Sequence, residues 1–465
     1  MSGLSMSQPS LARRFGGYIA GLVGAMAVGG MLVYTTKPLR VFLLVVGGMV
    51  GMAVLMEPFL GVLGYILITT LRIEEAVPAL LNLHLARLLT AFLLAAWLVK
   101  LARQGERPDL TAPPLSVLYI LFGLMAISVA PSVWPTRSFE AALDMLKVLL
   151  FVVVLINLVQ TEGRLRVFLW IWILAHAYLA ATSVHYYLTD YQPGLSGRPR
   201  GSGSYLGDPN DFALALNLIL PFAFHLLVTE RRVLARVILL FCLSLFTVGI
   251  VATQSRGGLV TLLVVAVGLG IANRRRVAVV GLLGLCCLLI LVVAGPEYWE
   301  RQSSIITYQA DASAQGRLVA WRAGLAMLAD RPLTGVGLDG FSTAYGLRYG
   351  LDTREFRWIA PHNAYIQVAA ELGIPGILCY LALMIWIVRL SGFADRRDPR
   401  LSHGSIPGSY VQETAKAIRV SLAAFAAGSF FLSAAYYPHV YYLAALSAIV
   451  AGITLRQAAA EEGGP

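Results

Sequence analysis

Charge is what this chain has least of. Asp, Glu, Lys and Arg make up 13% of its 465 residues, against about 25% in a soluble domain. With 58% hydrophobic residues, that shortage excludes a soluble enzyme and indicates a polytopic membrane protein. Cysteine is also scarce. Cys242, Cys286, Cys287 and Cys379 all lie inside apolar runs and read as packing residues, so no disulfide framework is expected. Metal-ligand spacings are missing: there is no His-x-x-x-His, no Cys-x-x-Cys, and no Asp-x-Asp in the outward loops. No Gly-x-Ser-x-Gly elbow stands in a strand-to-helix context. The Gly335-x-Gly337 pair follows no clear strand, so a nucleotide fold is not supported. Runs such as Leu259–Ile271 are apolar on nearly every face, which excludes the alternating pattern of a transmembrane barrel.

What is present is a succession of apolar runs. In lipid each backbone polar group must be satisfied within the segment, so these runs are helices. The candidate spans are Phe15–Tyr34, Arg40–Met56, Pro58–Leu71, His84–Leu101, Leu115–Ala130, Ala141–Leu158, Leu165–Tyr186, Asp211–Val228, Leu234–Ala252, Gly257–Ala272, Val277–Val293, Tyr365–Val388, Ala417–Ala435 and Val440–Ile453. Pro58–Leu71 is short against the roughly 20 residues a span needs. It can pair with Arg40–Met56 as a re-entrant or tilted hairpin, so the expected architecture is all-α with 12–14 transmembrane helices. Arg13 and Arg14 before the first run also permit a signal-peptide reading; a retained first helix is favoured, because the rest of the chain is membrane-embedded.

The net charge of +11 points to topology rather than to nucleic acid. Lys100, Arg103 and Arg107, then Arg164 and Arg166, then Arg231, Arg232 and Arg236, then Arg274, Arg275 and Arg276, then Arg389, Arg396, Arg397 and Arg400 occupy alternate loops. The face they share is the cytoplasmic one, and both termini fall there. Lys37, Arg40 and Arg72 fall on the other side, against the rule. Three segments follow: N-terminal membrane helices with short outward loops (1–294), a large helical outward loop (295–364), and C-terminal membrane helices with a short tail (365–465). The outward loops also hold arginines, among them Arg137, Arg198, Arg200, Arg256, Arg301, Arg317, Arg322, Arg331, Arg348, Arg354 and Arg357. So many call for partners, and an anion is a natural one.

Four places on this outward side could carry chemistry. Gly197–Asp211 places Arg198 and Arg200 before a helix start with Asp208 or Asn210 as N-cap, which is either an anion site or a flexible loop with an ordinary cap. Arg256, followed by Gly257 and Gly258, sits in a very short loop, as a phosphate ligand or a headgroup anchor. A helix over Gly316–Ala329 carries an apolar stripe of Leu318, Trp321, Leu325 and Leu328, with Arg317 and Arg322 off the stripe; a solvated face is the plain reading of Arg322. His362, between Pro361 and Asn363, stands at the start of an apolar helix. It is a general base or an interfacial capping residue, and Asn363 can orient a substrate or cap the helix.

The run Gly316–Arg317 … Trp321 … Asp330-Arg331-Pro332-Leu333-Thr334-Gly335-Val336-Gly337 … Phe341, then Pro361-His362-Asn363-Ala364-Tyr365 … Glu371-Leu372-Gly373-Ile374-Pro375-Gly376, resembles the signature of the O-antigen ligase and O-antigen polymerase superfamily. Gly207-Asp208-Pro209-Asn210 and Ser255-Arg256-Gly257-Gly258 are similar to its two earlier motifs. The resemblance implies a lipid-carrier-dependent glycosyltransferase of GT-C-like fold, working with no cofactor, neither metal ion nor nucleotide sugar. The implied donor is a glycan on undecaprenyl pyrophosphate, at the periplasmic face of the bacterial inner membrane, amid membrane lipids and with no nucleic acid. The implied acceptor is a sugar hydroxyl of lipid A core in a ligase. It is another carrier-linked glycan in an O-antigen or exopolysaccharide polymerase, or a protein in an O-glycan ligase. By motif match His362 would be the general base, and Arg200 and Arg256 would hold the pyrophosphate, with Arg317 assisting. Arg198, Arg322 and Asn363 are further substrate-binding candidates. A transporter of lipid-linked glycans is the competing class. It calls for ionisable residues or broken helices at mid-bilayer, and mid-span acids are nearly absent; Asp144 and Lys147 are expected to pair near a helix end.

Overall fold

The structure is a computed structural model that describes residues 38–73, 85–192, 196–201, 206–272, 276–296, 298–299, 312–350, 358–396 and 410–462. Among them are fifteen α-helices and no strand. In chain order they are α1 Pro38–Met56, α2 Pro58–Leu71, α3 Leu85–Gln104, α4 Leu115–Ile127, α5 Pro135–Leu158, α6 Glu162–Thr189, α7 Pro209–Thr229, α8 Val233–Ala252, α9 Arg256–Ala272, α10 Arg276–Val293, α11 Ala312–Asp330, α12 Phe341–Ala344, α13 Ala364–Arg396, α14 Tyr410–Gly428 and α15 Pro438–Glu462. Seven of these are long and apolar enough to cross a membrane, and five more are shorter apolar helices. The chain is thus an all-α, multi-pass membrane protein. The expected span Phe15–Tyr34 lies outside the described residues.

The short hairpin at the start forms for a local reason. Glu57 ends α1 and caps α2, its carboxylate accepting from the Phe59 amide at 3.2 Å while Pro58 supplies the first helical φ. The same carboxylate pairs with Arg164 at 3.2 Å, tying the hairpin to the start of α6.

α7 is the central helix, buried over most of its length. Small residues let its neighbours approach, as membrane interfaces require. A Cβ on Gly258 would lie 2.7 Å from the Ala213 side chain, and one on Gly428 would lie 2.6 Å from Leu214. Polar side chains stitch the same contacts. Asn217 donates to the Gly258 carbonyl at 3.1 Å, and the Ser421 hydroxyl donates to the Leu218 carbonyl at 2.5 Å. The histidines of this region are core residues. His225 faces the Thr414 hydroxyl at 2.9 Å. His439 is the second residue of α15, buried 3.4 Å from His176.

Two expected spans need correction. Ala417–Ala435 does not continue as helix: α14 ends at Gly428, and a single 3₁₀ turn (Ser429–Phe431) and a loop follow. Tyr365–Val388 is not one smooth helix either. α13 breaks at Gly373, whose φ is +70°. The glycine pair Gly335-x-Gly337 docks onto this break through backbone. The Val336 and Gly337 amides donate to the carbonyls of Ala370 (2.9 Å) and Glu371 (3.1 Å), and the Ile374 amide donates to Pro332 (2.7 Å). A Cβ on Gly335, at φ +63°, would lie 2.3 Å from the Glu371 carbonyl carbon. Those glycines therefore serve close backbone packing. Glu371, buried at 1% exposure, accepts from the amides of Asp339 (3.1 Å) and Phe341 (3.2 Å) and so holds the next turn.

Candidate active site

α6 and α7, α8 and α9, and α14 and α15 meet in reversals at one end of the bundle, where α13 also begins. Asp208 starts α7, its carboxylate accepting from the amides of Asn210 (2.7 Å) and Asp211 (3.4 Å). The segment before it closes on itself and lies against the helix: the Gly201 amide donates to the Leu206 carbonyl at 2.9 Å, and a Cβ on Gly201 would lie 2.7 Å from the Phe212 side chain. Arg198 in that segment donates to the Thr253 carbonyl at 3.1 Å, which brings it to the turn that leads into Arg256. Arg200 is exposed beside it. Arg256 is the first residue of α9 rather than a loop residue. Ser255 caps that helix, its hydroxyl accepting from the Gly258 amide at 3.0 Å.

The loop helix α11 is longer than its expected bounds of Gly316–Ala329, and its buried face differs from the expected stripe. Ala320, Ala323 and Met327 are buried, whereas Leu318 and Leu325 are exposed. The reason is the close approach to α13: a Cβ on Gly324 would lie 2.4 Å from Ile366, so only the small face fits there. Trp321 turns inward enough for its indole N–H to donate to the Pro361 carbonyl at 3.0 Å. Arg322 is exposed, and Arg317 is half-buried.

His362 follows directly. Its backbone is left-handed, with φ +46°. Its amide donates to the Ser433 hydroxyl at 2.9 Å. The imidazole keeps contact with solvent, yet neighbouring atoms crowd it. That partial burial, followed by the nearby Arg317 charge, holds its pKa below the ordinary histidine value, and the Asp208 carboxylate acts in the opposite sense. His362, Arg317 and Asp208 therefore share one electrostatic neighbourhood. Asn363 is the cap of α13: its side-chain oxygen accepts from the amides of Tyr365 (2.9 Å) and Ile366 (3.0 Å).

The element that brings these parts together is the stretch from Gly428 to Tyr437, most of which, as far as Ala435, hydropathy merged into a span. Phe430 meets Trp321 ring to ring at 5.3 Å. Phe431 lies 3.8 Å from where a Gly257 Cβ would stand, beside Arg256. Ser433 holds His362, and Tyr437 hydrogen-bonds Asp211 on the first turn of α7. None of these four side chains carries a sequence signal of its own. The available hint was Pro438, a helix-start residue within an apolar region.

Other outward arginines have partners within the protein. Arg137 pairs with Asp339 at 2.6 Å. Arg331 donates to the Pro131 carbonyl at 2.7 Å, and Arg348 pairs with Asp330 at 3.2 Å. Arg301, Arg354 and Arg357 lie outside the described residues.

Chemically, the arrangement offers an accessible imidazole biased toward its neutral form, with guanidinium groups on neighbouring elements. No curated protein matches the chain. Residues 238–381 match the family model described as O-Antigen ligase, and that segment contains Arg256, Arg317 and His362. On an all-α multi-pass membrane fold, this segment is thus similar to the O-antigen ligase domain, a match that supports the O-antigen ligase superfamily.

Proposed function

We propose that this glycosyltransferase-type enzyme moves a glycan from undecaprenyl pyrophosphate to a sugar hydroxyl of lipid A core, at the periplasmic face of the inner membrane. The observation that carries the reading is His362, set under the charge of Arg317 at the end of the bundle where Arg256 and Arg198 also gather.

In this reaction His362 takes the proton of the acceptor hydroxyl as its oxygen bonds to the anomeric carbon. The bond from that carbon to the pyrophosphate oxygen breaks, and the carrier pyrophosphate leaves with the electron pair. Arg256, Arg200 and Arg317 stabilise the charge that develops on it, in the role a divalent ion fills elsewhere. Arg198 positions the Thr253–Arg256 turn. Attack opposite the leaving group inverts the anomeric centre.

The test uses purified protein in detergent with EDTA and an undecaprenyl-pyrophosphate-linked glycan, with and without lipid A core. A single shift of the core band supports the ligase. A ladder on the carrier alone makes the enzyme a polymerase. His362→Ala is expected to cut turnover by about 10²–10⁴-fold, the usual contribution of a general base; wild-type turnover in that variant removes the role.

A further inference from the structure

We infer that Ser433 is a positioning residue for His362: its hydroxyl accepts the His362 amide and holds a left-handed backbone that aims the imidazole at the acceptor. The inference rests on His362 being the base.

A non-glycine residue with positive φ is disfavoured unless its surroundings fix it. At His362 the fixings can be named. On the N-terminal side, the Trp321 indole holds the Pro361 carbonyl at 3.0 Å. On the C-terminal side, Asn363 is committed to capping α13 at 2.9 and 3.0 Å. Between them the His362 amide has one described partner, the Ser433 oxygen at 2.9 Å. Ser433 comes from the α14–α15 connection, 71 residues away in sequence, so the bond is tertiary and not part of a local turn. It is made to the backbone, which leaves both ring nitrogens available for chemistry. The same connection anchors on α11 through Phe430 and on α7 through Tyr437, so Ser433 is itself held from two sides.

The experiment compares Ser433→Ala, Ser433→Cys and Ser433→Thr with wild type in the glycan-transfer assay. In parallel, the histidine imidazoles are titrated by NMR in detergent, with His362→Gln assigning the signal. Loss of the acceptor should lower kcat by about 10–100-fold with little change in KM for the donor, as a misplaced catalytic group does. It should also move the His362 titration, because the ring shifts relative to Arg317. Ser433→Thr keeps the hydroxyl and should behave as wild type. Ser433→Cys keeps the volume with a poor acceptor, and covers the case in which alanine loosens the fold. Unchanged turnover and titration in Ser433→Ala overturn the inference, and so does equal impairment of Ser433→Thr, which would mean packing alone. Full activity in His362→Ala is a separate result and removes the base assignment instead.

Discussion

At the scale of single residues, His362 is set apart by electrostatics. Its pKa lies below the usual histidine value because partial burial and then Arg317 disfavour the charged form. The neutral form, which accepts a proton, therefore persists to lower pH than for a free histidine. The acid limb of the kcat profile is expected below the ordinary histidine range. Arg317→Gln removes one of the two causes and should move that limb to higher pH, measured as turnover against pH; an unmoved limb would mean that Arg317 does not act on the base. Arg256→Lys should lose most activity, since an ammonium cannot reproduce a bidentate guanidinium–phosphate contact. Wild-type turnover there would make Arg256 a headgroup anchor. His362 and Arg256 were legible because each stands beside distinctive neighbours, Pro361 and Asn363 in one case and a glycine pair in the other. Ser433 was not, because a lone serine in an apolar run has no local signature and its bond to His362 exists only once the chain has folded.

Among the helices and turns, the glycine motifs are backbone joints. The Gly335–Gly337 turn and the break at Gly373 meet with no side chain between them, and all three glycines have positive φ. Gly335→Ala should cost about 1–3 kcal/mol for the backbone conformation alone, and more for the 2.3 Å contact its Cβ would make. Thermal unfolding in detergent reads this, and a melting temperature unchanged from wild type would contradict the joint. Glu371→Gln should also destabilise, by about 1–3 kcal/mol, because an amide nitrogen would face one of two backbone N–H donors, the buried one of Phe341 or the part-buried one of Asp339. Hydropathy located most helices to within a few residues, since apolar length is a local property. It failed where tertiary contacts decide. The end of α14 at Gly428 was hidden by the apolar residues that continue to Ala435. The buried face of α11 is set by the closeness of α13, which favours Ala320 and Ala323 over the leucines.

For the whole molecule, the charge pattern and the fold agree on which loops share an end. Glu57 meets Arg164, and Arg456 donates to the Gln160 carbonyl at 2.8 Å. This places the α1–α2 turn, the start of α6 and the last turns of α15 together. The candidate site lies at the other end. Single cysteines in a background lacking the four native ones should therefore divide into two classes toward a membrane-impermeant thiol reagent added to intact cells. Arg200→Cys is expected to react, and Arg231→Cys to stay protected until the cells are opened. Both reacting alike would refute the topology.

The link between Gly428 and Tyr437 also has a consequence in time. The chain emerges from the ribosome N-terminus first, so the arginines of α9 and α11 and the imidazole before α13 exist well before the segment that gathers them. A nascent chain that has not yet produced residues 428–437 carries these side chains but lacks the Phe430, Ser433 and Tyr437 contacts that gather them. A chain cut short before residue 428 is therefore expected to show no glycan transfer, even though it already contains His362, Arg256 and Arg317.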